Sequence, residues 1–87
     1  GINYPIKLEY YKRINEDELI NGIQPKFGVS VVKTEYTADG IRVETKDFEH
    51  ITNDERQANR ILKLFKENDV TPIAAEDVLT DLLKQVI

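Results

Sequence analysis

Residues 27–51, FGVSVVKTEYTADGIRVETKDFEHI, read as two strands folded back on each other. Phe27, Val29 and Val31 fall on one face of the first strand, expected over 27–36, and Val32, Thr34 and Tyr36 fall on the other. Such period-two placement of β-branched and aromatic residues is the mark of a strand. Thr37-Ala38-Asp39-Gly40 supplies the reversal, since Asp and Gly tolerate the positive φ of a tight turn. The return strand is expected over 41–51. Ile41, Val43 and Thr45 share a face there, and Phe48 breaks the phase, which predicts a bulge or bend near Lys46-Asp47. Two alternating runs joined by so short a turn make an antiparallel hairpin.

Upstream of the hairpin, residues 6–14 also alternate, with Ile6, Leu8, Tyr10 and Ile14 on one face and Lys7, Glu9, Tyr11 and Arg13 on the other. A polar, acidic break follows at Asn15 to Glu18. In 19–26, Asn21-Gly22 and Pro25 interrupt any regular element, leaving either a loop with one helical turn or a short irregular edge strand.

Downstream, the pattern changes period. Thr52-Asn53-Asp54-Glu55 fits a capping box, with Thr52 as N-cap and Glu55 reaching back to it. A helix over about 53–67 then carries Ala58, Ile61, Leu62 and Phe65 as one apolar stripe, and Asn68 suits the left-handed position after it. Val70-Thr71-Pro72-Ile73 reads as an extended connector, because the residue before a proline avoids the α region. A second helix over about 74–86 spreads Ala75, Val78, Leu79, Leu82, Leu83 and Val86 over a wider arc, which calls for two packing neighbours. Strands first and helices last define an α+β single domain: a three-stranded antiparallel sheet with two C-terminal amphipathic helices on one face.

Composition bounds the function. The 87 residues are 40% apolar and 32% charged, the balance of a folded domain and not of a disordered chain. A domain of this size has a stability of about 10 kcal/mol or less, and dimerisation is a common supplement. The absence of cysteine removes disulfide, zinc-thiolate and thiol-nucleophile chemistry together, and points to a reducing, cytoplasmic setting. No apolar run approaches a membrane span, and a net charge of -4 argues against nucleic acid as the default partner.

Three motifs carry a family resemblance: Phe27-Gly28-Val29, the junction Ile51-Thr52-Asn53-Asp54, and Val70-Thr71-Pro72-Ile73 followed by Asp77-Val78-Leu79 and Asp81-Leu82. In these the chain resembles a family of short proteins with a domain of unknown function from clostridia and related Gram-positive bacteria. The resemblance covers residues 27–83 better than the first 26. It implies a bacterial cytoplasmic protein and transfers no functional residue.

No reactive constellation emerges, so a non-enzymatic module without cofactor is expected. His50 is the sole histidine and lacks the spaced partners of a metal site, although Glu49 and Asp54 stand close in sequence. Asp77 and Asp81 share a helix face; four apart, like charges cost a few tenths of a kcal/mol, which makes this acidic edge a candidate contact. Arg56, Arg60 and Lys63 form a basic stripe opposite the apolar stripe of the first helix, and an alternative function as a small nucleic-acid-associated factor would use it. Adjacent Tyr10 and Tyr11 place aromatic area on both sides of the sheet. Two helices cover one side only, so Tyr11 with either Val32 and Tyr36 or their opposites is left exposed. Tyr11, Val32 and Tyr36 are the expected interaction surface, met by a homodimer or another protein, unless residues 15–26 fold over it. The expected function is therefore a protein-interaction or regulatory module that self-associates.

Overall fold

In the computed structural model, which describes residues 5–15 and 25–84, three strands form one antiparallel sheet. They are β1 (Ile6–Ile14), β2 (Phe27–Thr37) and β3 (Gly40–Thr52), in the order β1-β2-β3. Two helices follow, α1 (Glu55–Glu67) and α2 (Pro72–Lys84), both on the same side of the sheet. The α+β class and the sheet-then-helices order are those the sequence leads one to expect. Residues 16–24, in the segment expected to roof the second sheet face, lie outside the described residues, as does Val86.

The register explains which side is which. Tyr10 stands opposite Val31, and Val29 opposite Phe48, so Tyr10, Val29, Val31 and Phe48 share the helix side. Val29 and Val31 are fully buried there against Phe65 of α1, with Ile61, Val70, Ala75 and Leu79 completing the core. Tyr10 packs its ring edge-on to Phe65, centroids 6.3 Å apart, and donates its hydroxyl to the Val70 carbonyl at 2.9 Å. One side chain thus ties the edge strand to α1 and to the link between the helices. Partial burial, and then the nearby Asp69 carboxylate, push the Tyr10 hydroxyl above its ordinary value.

Several local expectations are corrected. Thr52 is not the N-cap of α1. It is still paired with Phe27 in the sheet, and its hydroxyl donates to the Gln57 side chain at 2.6 Å while accepting from the Asp54 amide at 3.0 Å. Asp54 caps instead, accepting from the Arg56 amide at 2.9 Å, so α1 begins at residue 55 and not 53. At the other end Asn68 keeps a negative φ and Asp69 takes the left-handed one, φ 47°. The Asp69 amide bonds to the Lys66 carbonyl and the Val70 amide to the Phe65 carbonyl, which is a Schellman closure with buried Val70 against Phe65.

Pro72 does not belong to an extended connector. It is the first residue of α2, two positions earlier than expected, where its fixed φ suits a helix start and its missing N–H costs nothing. Thr71 caps it, its hydroxyl accepting from the Ala74 amide at 3.4 Å beside the turn bond from that amide to the Thr71 carbonyl at 3.1 Å. In the Asp-Gly turn Gly40 alone takes a positive φ, 136°.

The bulge lies later than Lys46-Asp47. Register slips between Phe27 and Val29, where β3 advances from Thr52 to Phe48, and the displaced backbone presses onto Gly28. A Cβ at Gly28 would collide with the Phe48 carbonyl oxygen and stand 2.5 Å from that of Glu49. Phe48 itself breaks no phase: Lys46 and Phe48 alternate regularly onto the helix side.

Replacing Gly28 by Ala is expected to destabilise the fold by about 3 kcal/mol, read as a shift of the urea midpoint at constant slope. Asp54 supplies a pH signature. The Arg56 amide, its largest influence, holds the carboxyl below the usual aspartate range. A group lowered in the folded chain stabilises it above the unfolded value of about 4 and loses that contribution as pH falls through the folded value. Thermal melts should accordingly show a steeper acid loss below about pH 4 for the native chain than for Asp54→Asn.

Candidate interaction surface

The side of the sheet away from the helices has two unlike ends. Register places Tyr36 beside Ile41, Thr34 between Lys7 and Val43, Val32 between Glu9 and Thr45, and Ser30 between Tyr11 and Asp47. At the hairpin end this face is apolar and open: Ile41 is 67% exposed, Val43 59% and Tyr36 38%, with Tyr11 at 48% further along.

On the opposite surface of the same hairpin end the polarity is reversed. Lys33, Glu35, Arg42 and Glu44 stand on the helix side by register, beyond the core. Lys33 donates to Glu35 at 2.8 Å, an ion pair that raises the lysine and lowers the glutamate from their ordinary values. The far end of the hairpin therefore points its apolar side chains away from the helices and its charges toward their side.

The other end of the open face is polar and closed upon itself. Ser30, buried in mid-strand, donates to Asp47 at 2.6 Å and accepts from Arg13 at 3.3 Å. Arg13 also lies 3.8 Å from Asp47 and 3.6 Å from Glu49. Nearer the hairpin end, Lys7, in the row of Thr34 and Val43, sits 3.7 Å from Glu9 in the row of Val32, and Glu9 accepts the Tyr11 hydroxyl at 2.5 Å.

The structure brings Tyr11, Val32 and Tyr36 onto one face, because β1 pairs with β2 in the register Tyr11 opposite Ser30. Asp77 and Asp81 do not join them: both are exposed on α2, in the layer on the other side of the sheet. Arg56, Arg60 and Lys63 are all exposed on α1, but Arg56 is held 3.4 Å from Asp54 and Lys63 3.9 Å from Glu67, which leaves Arg60 without an ion pair among the described residues. His50 is half-buried, with Nδ1 3.1 Å from the Pro25 carbonyl and 3.4 Å from the Asn15 side-chain nitrogen. Glu49 lies 3.6 Å from Arg13, and Asp54 caps α1. Among the described residues no cluster of three or more His, Cys, Asp or Glu could hold a metal, and no helix is long and apolar enough to cross a membrane.

Ile41 and Val43, the most exposed members of the apolar patch, escaped the sequence-based list. The signal was present: a two-residue turn pairs Thr37 with Gly40, which forces Ile41 onto the face of Tyr36.

With fold and surface defined, the class is a two-layer α+β domain in which no other described element lies on the sheet face away from the helices. The chain belongs to a family of unknown function (DUF6514), which matches residues 2–85. No curated protein and no solved structure matches it.

Ser30→Ala should cost about 1 kcal/mol in chemical denaturation, because it removes the hydroxyl that links Arg13 to Asp47 across the central strand. A loss confined to a few tenths would show that the two charges hold each other without it.

Proposed function

We propose that this protein is a non-enzymatic interaction module that pairs with a second copy of itself through the open sheet face. The observation that carries it is the exposed run Tyr36, Ile41 and Val43, continued by Val32 toward Tyr11. Apolar area left in water forgoes about 25 cal/mol per Å² of burial, and a contiguous patch of it more often meets a partner than solvent. A second copy is the favoured occupant on electrostatic grounds. The cations of this face, Lys7 and Arg13, already have carboxylate partners in their own chain, so two copies meet there without stranding an unpaired cation. Its cytoplasmic setting, in clostridia or related Gram-positive bacteria, is part of the same proposal and rests on the cysteine-free composition and the family resemblance.

Sedimentation velocity between about 1 and 100 μM should show concentration-dependent dimer. The double substitution Ile41→Lys with Val43→Lys should give monomer at every concentration and a cooperative melt that no longer depends on protein concentration, since both side chains are solvent-exposed in the single chain. A native chain that stays monomeric at about 100 μM would overturn the proposal.

A further inference from the structure

A second surface, on the edge of the sheet and not its face, has the makings of a peptide site. We propose that the free edge of β1 takes an extended, acidic segment of another protein as an additional strand. β1 is hydrogen-bonded to β2 on one side only, and among the described residues no strand satisfies the backbone groups of its other side. Its pairing with β2 runs unbroken from Ile6 to Ile14, with neither proline nor bulge to spoil a template.

A groove of about 580 Å³ lies along this edge, lined by four consecutive strand residues, Leu8 to Tyr11, and by Leu62, Lys63 and Lys66 of α1. Consecutive residues point to opposite faces, so a groove that all four line follows the strand's edge. The charges that ordinarily guard an edge strand are spent inside the chain: Lys7 on Glu9, Lys12 on Glu55, and Arg13 on Asp47 and Glu49. Overhead, Lys66 has no ion pair among the described residues and Lys63 only a long one, at 3.9 Å from Glu67. An added strand would bond the edge through its backbone, set an apolar side chain beside Leu8 and Leu62, and offer carboxylates to the two lysines.

The probe is a short capped peptide of alternating glutamate and valine, titrated into the labelled chain and followed by amide chemical shifts. Saturable shifts at residues 8–11, below about 1 mM, are the expected result. Lys63→Glu with Lys66→Glu should weaken binding about tenfold at low salt, and the same peptide with alternate amides N-methylated should not bind. The Ile41→Lys, Val43→Lys variant should bind the peptide undiminished, which separates this edge from the dimer face. No saturable shift at about 1 mM, shifts confined to another surface, or equal binding by the N-methylated peptide would each overturn the proposal.

Discussion

Val29 and Val31, fully buried between the sheet and Phe65, are the point on which the molecule turns. Among the described residues β2 is the only strand with a neighbour on each side, so there side chains gain cover from both flanks as well as from above. The helices that provide this cover are short for the task. Thirteen helical residues rise about 20 Å, whereas the thirteen residues of β3 extend about 43 Å. A sheet that outruns its helices leaves a hairpin end with no second layer on either side among the described residues.

That mismatch explains the distribution of polarity better than a simple division into inner and outer faces. Near Phe65 the helix side is apolar, and its opposite carries the Arg13–Ser30–Asp47 cluster. Past the helices the helix side becomes the Lys33, Glu35, Arg42, Glu44 surface, and the apolar residues switch to the far side. Each strand keeps its period-two alternation throughout. What changes along its length is which parity holds the apolar residues, and this places Ile41 and Val43 in water in a single chain.

The helix termini show how tertiary context moves local signals by a residue or two. Thr52 has the right spacing to Glu55 for a capping box, but pairing with Phe27 holds it in the sheet, and Glu55 goes to Lys12 across the layers. Asn53, first past the ladder, accepts from the Lys26 amide, and Asp54 takes the cap. Val70 is drawn into the core beside Phe65, and Asp69 then supplies the left-handed residue that lets the chain turn inward. These competitions are decided by partners distant in sequence, which a local pattern does not contain.

Alternation, turn chemistry and helical periodicity were sufficient to determine the strands, the hairpin, the two amphipathic helices and their assignment to one class of fold, because each is a short-range property of adjacent residues. The sequence placed Val32 with Tyr36 by parity but left open whether they or their opposites share the face of Tyr11, because that depends on the register of β1 against β2. Only the tertiary structure decided which parity faces the helices, where β3 slips against Gly28, that Asp77 and Asp81 lie in the other layer, and that α1 overhangs the free edge of β1 with lysines. The reason is physical: burial and electrostatic pairing depend on which elements stack and how far each reaches, and those distances are set by the assembled layers.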